Sequence, residues 1–221
     1  MSGVRVVIAG GHGQIALRLE RLLTLRGDEA IGLIRRAEQA GDLAAAGATA
    51  VVADLESSSV DDLAPELRGA DAVVFAAGAG PGSGIARKDT VDRAAAALVA
   101  DAAEAAGVQR CLLVSALGAG SEPPAGTSEV FAAYLRAKGA SEEDLRARDL
   151  AWTILRPGGL TDDPGTGTVT LATSTGRGHV PRDDVAAVLL ALLDEPATAR
   201  MTLELIGGDV PIADAVAALR G

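Results

Sequence analysis

The stretch VRVVIAGGHGQIA, residues 4–16, joins a continuous apolar run to a group of glycines. A run of this kind predicts a strand that is covered on both faces, as in a parallel sheet. After the glycines, Ile15, Leu19 and Leu23 recur at helical spacing, which predicts an amphipathic helix. The stretch therefore predicts a strand, a tight turn and a helix in direct succession.

Gly10 and Gly13 occupy the predicted turn. Gly10 lets the chain turn sharply, and Gly13 lets the backbone approach a pyrophosphate because it has no Cβ atom. Ala16 keeps the helix close to the sheet, and free N–H groups at the helix start would point at a bound phosphate. An ordinary strand-to-helix turn is the alternative, but the strand before the glycines and the helix after them favour a dinucleotide site.

Length, composition and charge limit the class of protein. The 221 residues suit one α/β domain, predicted to span residues 1–221, with a core of aliphatic side chains. Aromatic residues make up only 2%, which argues against a stacking surface for single-stranded nucleic acid. The net charge of −10 argues against binding to nucleic acid or to anionic membranes, because both need clustered basic charge. We therefore expect a small-molecule substrate as the partner, and an anionic cofactor held by local donors.

Cysteine and histidine are scarce in the chain. Cys111 is the single cysteine, which excludes an internal disulfide and fits a reducing compartment. The two histidines, His12 and His179, are too few for a metal cluster without carboxylates, so no metal is expected. Neither a signal peptide nor an apolar run of about 20 residues is visible, and we expect a cytoplasmic protein.

Strand-like and helix-like patterns alternate along the rest of the chain. Strands are predicted at residues 30–34, 49–53, 71–76, 110–115, 151–155 and 202–206, with a short extension at 169–171. Helices are predicted at residues 43–46, 63–67, 89–106, 128–148, 185–193 and 211–219. Five β-then-α units in series imply a parallel sheet with helices on both faces and right-handed crossovers. The predicted fold class is therefore α/β, with a doubly wound parallel sheet.

Arg35 and Arg36 follow the second predicted strand, at the end where ligands bind in such sheets. NAD-binding proteins usually carry an Asp or Glu there, which contacts the adenosine ribose, whereas arginine suits the 2′-phosphate of NADP. Asp28 and Glu29 lie at the opposite end of the strand. The two arginines therefore indicate a preference for NADP over NAD, with a pair of solvated surface arginines as the alternative.

Two further segments follow strands at the same edge. Asp54, followed by Leu55, is placed to accept a hydrogen bond from the adenine amino group, and the alternative is a turn or helix-capping Asp. Small residues at 77–80 allow the backbone to lie beside adenine and ribose. The loop 81–84 is either a mobile lid or a plain connection.

Tyr134 and Lys138 lie four residues apart on the predicted helix 128–148 and therefore share one face. An ammonium group beside a phenol lowers the pKa of the phenol and helps it act as an acid at neutral pH. This spacing predicts a Tyr and Lys pair at an active site. The alternative is an amphipathic helix with a tyrosine half in the core.

The turn after the sixth predicted strand contains Pro157, Gly158 and Gly159. Proline cannot continue a central ladder, so the strand is expected to end before it. The two glycines allow close approach to a flat ring such as nicotinamide. A purely structural turn is the alternative.

Three aspartates are interpreted as residues of helix N-termini. Asp183 or Asp184 is predicted to cap the helix that follows, because Asp side chains accept hydrogen bonds from free N–H groups there. Asp92 is predicted to favour a helix start through its negative charge, with contact on the cofactor side as the alternative.

The ordered motifs of the chain resemble those of a known family. They are GGHGQIA at 10–16, DL at 54–55, AAG at 76–78, GVQR at 107–110 before VS at 114–115, YLRAK at 134–138, TILRPGGL at 153–160 and RDDVA at 182–186. In this order they resemble the atypical short-chain dehydrogenase/reductases, which include NAD-dependent epimerase/dehydratase-like, biliverdin reductase B-like and NmrA-like proteins. The resemblance covers nearly the whole chain.

The resemblance implies a Rossmann fold that binds NAD(P) across the carboxyl edge of the sheet, with a small C-terminal region over the substrate. It implies that Tyr134 and Lys138 are the family's Tyr-x-x-x-Lys pair. Related active enzymes carry Ser or Thr one or two places beyond Ser115, where this chain has Ala116 and Leu117. The motifs and the resemblance together assign cofactor contacts to Gly10, His12, Gly13, Gln14, Ile15, Arg35, Arg36, Asp54, Leu55, Ala76, Ala77, Gly78, Ser115, Lys138, Pro157, Gly158, Gly159 and Leu160.

Three functions follow from these assignments. The first is an NADP-dependent oxidoreductase that transfers hydride between nicotinamide and a small carbonyl or conjugated substrate. In this hypothesis Tyr134 donates the proton, Lys138 holds the nicotinamide ribose and Ser115 polarises the substrate oxygen. The second is a non-catalytic NADP(H) sensor, which the apolar Ala116 and Leu117 favour. The third is a nucleotide-sugar epimerase or dehydratase, for which the C-terminal region leaves little room.

Overall fold

The apolar runs of the sequence become the strands of a nine-stranded sheet in the computed structural model, which describes residues 3–80, 82–123 and 126–220. The strands of this sheet and of a second, two-stranded sheet formed by β7 and β9 are β1 (Arg5–Ala9), β2 (Glu29–Ile34), β3 (Thr49–Val52), β4 (Ala72–Phe75), β5 (Arg110–Val114), β6 (Ala151–Pro157), β7 (Gly159–Thr161), β8 (Thr168–Ala172), β9 (His179–Pro181), β10 (Met201–Gly207) and β11 (Val210–Pro211). The helices are α1 (Gln14–Arg26), α2 (Ala40–Ala45), α3 (Val60–Leu67), α4 (Ile85–Arg87), α5 (Ala95–Ala106), α6 (Glu129–Arg146), α7 (Arg182–Leu193) and α8 (Ile212–Ala217). A π-helical segment, Lys88–Ala94, joins α4 to α5, and short 3-10 turns lie at Ala37–Gln39, Pro196–Thr198 and Ala218–Arg220.

The order of strands across the large sheet is β11-β8-β10-β6-β5-β4-β1-β2-β3. The strands from β10 to β3 are parallel to their neighbours, whereas β8 is antiparallel to β10 and β11. The chain moves outward from β1 to β3 and then returns to add β4 on the other side of β1. This reversal opens a crevice at the carboxyl ends of the strands. The predicted α/β class with a Rossmann-type doubly wound sheet is confirmed.

Alternate residues of β1 belong to two separate hydrophobic clusters. Val6 and Ile8 pack with side chains of α1 and α7, whereas Val7 and Ala9 pack with side chains of α3 and α5. Because helices cover both faces of the sheet, the strand has no side that faces solvent. This arrangement explains why the sequence shows an unbroken apolar run instead of an alternating pattern.

The predicted strands and most predicted helices are present, with small differences at their ends. The strands β7, β9 and β11 are new, and β7 pairs with β9 in a small parallel sheet of its own. These strands have two or three residues each, which is too short for a period-two pattern to be visible. The predicted helix 89–106 is divided, because its first turns form the π-helical segment Lys88–Ala94.

Pro157 is the last residue of β6, so the prediction that the strand ends before this proline was wrong. Pro157 lies opposite Leu205 of β10, and its carbonyl accepts a hydrogen bond from the N–H of Leu117 at 2.8 Å. The next N–H, that of Gly158, donates to Leu205 at 2.8 Å. A proline is tolerated at this position because the ladder does not need its missing N–H group.

Neither Asp183 nor Asp184 caps α7, so that prediction was also wrong. The residue before the helix is Pro181, and no side chain accepts a capping hydrogen bond there. Asp183 accepts from the Arg18 guanidinium at 2.5 Å, whereas Asp184 accepts from the N–H of Gly167 at 2.9 Å. Both carboxylates therefore connect α7 to other segments, which a local sequence pattern does not reveal.

Candidate functional site

A cleft of about 310 Å³ lies at the carboxyl ends of β1 to β4, beside the point where the strand order reverses. Its lining residues are Gly10, His12, Gly13, Leu33, Ile34, Arg35, Gln39, Ala53, Asp54, Leu55, Glu56, Ala76, Ala77, Gly78, Ala79, Arg87 and Val91. Among the residues assigned to cofactor contacts, those in the lining are Gly10, His12, Gly13, Arg35, Asp54, Leu55, Ala76, Ala77 and Gly78. Those outside the lining are Gln14, Ile15, Arg36, Ser115, Lys138, Pro157, Gly158, Gly159 and Leu160.

Gly10 makes the sharp turn that the sequence predicts. Its φ of +82° lies in the left-handed region, and a Cβ atom there would be 2.6 Å from the Cα of Ala77. A side chain is therefore excluded both by the backbone conformation and by the neighbouring loop. The N–H of Gly13 donates back to the carbonyl of Gly10 at 2.8 Å, which closes the turn.

The start of α1 faces this turn without a capping side chain. Gly13 is the residue before the helix, and no side chain of the described residues accepts a hydrogen bond from the first turn. The N–H groups of Gln14 and Ile15 are therefore available to phosphate oxygens, and the helix dipole favours negative charge there. Gln14 and Ile15 are thus suited to a phosphate through their backbone, although their side chains do not line the cleft.

His12 is the polar residue between Gly11 and Gly13 in the glycine turn. Its Nε2 lies 2.7 Å from the carboxylate of Asp42, and its Nδ1 lies 3.1 Å from the amide nitrogen of Gln39. The ring therefore connects the turn to the segment that follows β2. Gln39 lines the cleft but has no motif of its own in the sequence, so only the fold identifies it.

Arg35 and Arg36 have different positions, although they are neighbours in the sequence. Both are exposed, but Arg35 lines the cleft with its Nη1 3.8 Å from Glu56, whereas Arg36 is outside the lining. Glu56 accepts hydrogen bonds from Arg87 at 2.6 Å and from the Thr90 hydroxyl at 2.7 Å. These bonds hold the pKa of the Glu56 carboxyl below its usual value. Neither Glu56 nor Arg87 was predicted from the sequence.

Asp54 lines the cleft and also fulfils the turn role that was its alternative interpretation. Its Oδ1 accepts from the N–H of Glu56 at 3.1 Å, and its carbonyl accepts from Ser57 and Ser58. The hydrogen bonds fix the loop after β3. Among the described residues no hydrogen bond engages the other carboxylate oxygen, which leaves it available to a ligand.

The loop after β4 forms the opposite wall of the cleft. Its Gly78 lies close to Asp92, since a Cβ atom on Gly78 would be 3.2 Å from the Asp92 Oδ1. The N–H of Ala79 donates to the other Asp92 oxygen at 3.3 Å. Further along, the Ser83 hydroxyl donates to the carbonyl of Gly80 at 2.8 Å. Pro81 of the predicted lid lies outside the described residues.

Lys138 and Asp92 form a buried ion pair behind this wall. The Lys138 Nζ lies 3.4 Å from Asp92 Oδ1, and the two side chains are 4% and 0% exposed. The ammonium also donates to the carbonyls of Val114 at 3.0 Å and of Ala77 at 3.5 Å. Burial lowers the pKa of Lys138, and the charge of Asp92 opposes this effect. Asp92 lies within the π-helical segment and pairs with Lys138 of α6. The prediction that Asp92 favours a helix start was therefore wrong.

Tyr134 lies one helical turn before Lys138, but its pKa changes in the direction opposite to the prediction. Burial, followed by the negative charge of Asp92, raises the pKa of Tyr134 to about 12. The prediction of a lowered pKa was wrong because burial disfavours the phenolate, and the Lys138 ammonium that was expected to offset this is engaged by Asp92 and backbone carbonyls. The Tyr134 ring instead meets Lys88, whose Nζ lies 5.3 Å from the ring centroid, and stacks on Phe131 with the centroids 5.8 Å apart.

Ser115 is connected to a buried charge network. Its hydroxyl donates to Glu142 at 2.5 Å, and the fully buried Glu142 also accepts from Arg156 at 2.9 and 2.6 Å and from Arg146 at 2.8 Å. Glu142 follows Lys138 by four residues and so lies on the same face of α6. That spacing is the one signal from which the sequence analysis could have identified Glu142.

The glycines after β6 pack against another segment of the chain. A Cβ atom on Gly158 would overlap the carbonyl oxygen of Gly178, and one on Gly159 would overlap the ring of His179. The N–H of Gly159 donates to Gly178 at 2.9 Å. This close packing of β7 against β9 accounts for both glycines and favours the structural turn.

No helix in the described ranges has both the length and the apolar character needed to cross a membrane. Within the same ranges, His, Cys, Asp and Glu side chains form no group of three or more that suits a metal ion.

The crevice at the strand reversal, the Gly10 turn and the uncapped start of α1 together define a dinucleotide-binding protein of the Rossmann type. The chain belongs to the NAD(P)H-binding family, whose model matches residues 10–196. The expected membership of the atypical short-chain dehydrogenase/reductases is confirmed. The protein is therefore an NAD(P)-binding member of an oxidoreductase and epimerase-like family.

Three relatives illustrate this membership. The chain is 41% identical over 214 residues to the uncharacterized sugar epimerase YhfK of Bacillus subtilis, covering 96% of this chain and 99% of the relative. A solved structure from Bacillus halodurans, named provisionally as an NAD-dependent epimerase/dehydratase, is 34% identical with a TM-score of 0.90 and covers 98% of this chain and 100% of its own. The anaerobillin reductase ChuY of Escherichia coli O157:H7 is 28% identical with a TM-score of 0.78, and the match covers 94% and 98% of the two chains.

Proposed function

We propose that this protein is an NADP-dependent oxidoreductase that acts on a small carbonyl or conjugated substrate. The observation that carries the proposal is the position of Lys138. Its ammonium lies 3.5 Å from the carbonyl of Ala77, and Ala77 lines the dinucleotide cleft. A cation held by Asp92 directly behind the wall of the cleft is the positive charge that we assign to the hydroxyls of a nicotinamide ribose.

Tyr134 is the proton donor in this proposal. When NADPH is bound, its nicotinamide supplies the hydride. A phenol with a pKa of about 12 is protonated at neutral pH, so Tyr134 has a proton to donate to the substrate oxygen. The Ser115 hydroxyl donates its proton to Glu142, so we place the substrate oxygen against Tyr134. In this proposal Ser115 helps to hold the Glu142 carboxylate.

Arg35 is the residue that we propose to bind the 2′-phosphate of NADP. It lines the cleft, and its closest carboxylate contact is the loose one to Glu56 at 3.8 Å, so its N–H groups remain available. Arginine suits phosphate because its planar guanidinium can donate two parallel hydrogen bonds. A location in the cytoplasm and a single domain are parts of the same proposal.

The test is the consumption of NADPH with a panel of ketones, quinones and conjugated carbonyl compounds. We expect turnover with at least one of them, and Tyr134→Phe should lower kcat by roughly 100-fold because the proton donor is lost. The affinity for NADPH, measured by calorimetry, should stay within about twofold, because the variant keeps the ring. Equal turnover by the variant would exclude Tyr134 as the acid.

The names of two relatives favour epimerase or dehydratase chemistry as a second candidate. In that case a sugar nucleotide is converted without net consumption of cofactor, which mass spectrometry of the product and the cofactor detects. A third result, tight binding of NADPH with no turnover of any compound, would favour the sensor hypothesis.

A further inference from the structure

Glu56 is a carboxylate in the wall of the cleft, on the loop after β3. Its side chain is 27% exposed, and each of its two oxygens has a partner. Oε2 accepts from Arg87 at 2.6 Å and lies 3.8 Å from Arg35, while Oε1 accepts from Thr90 at 2.7 Å. The lowered pKa of Glu56 means that this carboxyl is ionised at neutral pH.

The partners of Glu56 belong to separate elements of the chain. Arg35 follows β2, whereas Arg87 and Thr90 belong to α4 and the π-helical segment. Arg35 and Arg87 both line the cleft and are the arginines in its lining. Asp54 is the other carboxylate in the lining, so the two arginines and the two carboxylates sum to zero, and Glu56 supplies half of the negative charge at this end.

We propose that Glu56 determines the cofactor selectivity of this site, because it competes with a 2′-phosphate for Arg35 and Arg87. A phosphate bound by Arg35 lies within a few ångströms of the Glu56 carboxylate, which repels it. NADH has a neutral 2′-hydroxyl at the same place and does not meet this repulsion. Glu56 therefore weakens the binding of NADPH but not that of NADH. The difference between the NADPH and NADH affinities is then smaller than the two arginines alone would produce.

This inference rests on the proposed role of Arg35 in binding the 2′-phosphate. Glu56, on the loop after β3, limits how strongly Arg35 can favour NADPH. A local pattern does not reveal Glu56, because the position usually inspected for cofactor choice is the end of β2. The fold brings Glu56 to that position from the neighbouring strand.

The test uses Glu56→Gln, which removes the charge and keeps the shape of the side chain. Calorimetry measures binding of NADPH, NADH, adenosine 2′,5′-bisphosphate and AMP to the wild-type protein and the variant. The last two compounds probe the adenosine end alone. We expect the variant to bind NADPH and the bisphosphate roughly three- to tenfold more tightly, with NADH and AMP within about twofold of the wild-type values.

Two further variants control this measurement. Asp89→Asn removes a carboxylate that is also paired with an arginine, Arg93, but lies outside the cleft lining, and so it makes the same change in net charge. It should leave the ratio of NADPH to NADH affinity unchanged. In Arg35→Ala combined with Glu56→Gln, the gain in NADPH affinity should be reduced, because the phosphate has lost one of the two arginines for which Glu56 competes.

The outcomes separate this inference from the proposed function. Equal changes for NADPH and NADH in Glu56→Gln, or weaker NADPH binding, overturn the role of Glu56 even if the wild-type protein prefers NADPH. Weaker NADH binding alone would mean that Glu56 accepts the ribose hydroxyl and overturns it too. A wild-type protein that prefers NADH, with a variant that gains NADPH affinity, supports Glu56 and contradicts NADP dependence.

Discussion

The carboxyl edge of the sheet is open at one end and filled with side chains at the other. At β1 to β4 the edge is open, because Gly10, Ala77 and Gly78 leave space between the loops. At β5 and β6 it is filled, because Glu142 is fully buried among Ser115, Arg146 and Arg156. The first end is suited to a ligand and the second to holding the fold. Binding and stability should therefore respond to different substitutions.

The largest expected effect is on binding at the open end. Gly10→Val should weaken NADPH binding by roughly 100-fold or more, because the Cβ would lie 2.6 Å from Ala77 and φ is +82°. Calorimetry provides the measurement. Gly41→Ala is the matched control, since nothing lies within 4 Å of its Cβ, and it should bind normally. If the Gly10 variant bound NADPH normally, the open end of the sheet edge would not be the part on which cofactor binding depends.

The next effect is on stability at the filled end. Glu142→Gln should lower the free energy of unfolding by about 3 kcal/mol, because Arg156 and Arg146 lose a buried counter-charge. Urea unfolding measures this change. The neighbouring Glu143 is exposed, and Glu143→Gln should change the stability by less than about 0.5 kcal/mol. If the two variants were equally stable, the network would not be what holds this end together.

A third prediction concerns Glu20, whose fully buried carboxylate lies beneath the glycine turn against Gly11 and Gly32. Neither oxygen has a hydrogen-bond partner among the described residues, and burial raises the pKa to about 8 from an ordinary value of 4.5. Folded Glu20 therefore keeps a proton that the unfolded chain releases above pH 4.5. Its contribution to stability is complete below that pH and is lost as the pH rises to about 8.

The measurement is the difference in Tm between the wild-type protein and Glu20→Gln. The wild-type Tm should fall relative to the variant by on the order of 5 °C between pH 5 and pH 8, since the amide has no proton to lose. Other titrating groups are common to both proteins and cancel in the difference. A constant difference across this range would mean that Glu20 does not titrate there.

The smallest effect sharpens the cofactor end of the comparison. Arg35→Ala should weaken NADPH binding by about tenfold, whereas Arg36→Ala should change it by less than about twofold, because only Arg35 lines the cleft. NADH binding should be nearly unchanged in both variants. Equal losses of NADPH affinity in the two variants would mean that both arginines act only through their charge and that Arg35 makes no specific contact with the phosphate.

The accuracy of the sequence predictions follows the range of the interactions involved. The β1 strand, the Gly10 turn and α1 were predicted because each depends on residues that are close together in the chain. The direction of the Tyr134 pKa shift was wrong because the shift depends first on burial and then on the charge of Asp92, which is 42 positions from Tyr134 in the sequence. Local spacing placed Lys138 near the phenol but gave no information about the carboxylate that engages its ammonium.

The same distinction explains the residues that were missed. Glu56 and Arg87 carry no local motif, Glu142 shows only its spacing from Lys138, and the roles of all three depend on partners on other elements. Asp183 and Asp184 have the composition of a helix cap, but the folded chain uses their carboxylates to hold Arg18 and the loop before β8. Polar side chains bond to the partners that the fold brings to them, and these are often not their neighbours in sequence.

The sequence by itself determined the doubly wound sheet and the place of the dinucleotide cleft, because apolar periodicity and glycines act over a few residues. Only the tertiary structure decided that Arg35 and not Arg36 faces the cleft, that Lys138 pairs with Asp92, and that Glu56 lies between two arginines. The physical reason is that the energies of charges and hydrogen bonds depend on distance and burial, which exist only after distant segments have come together.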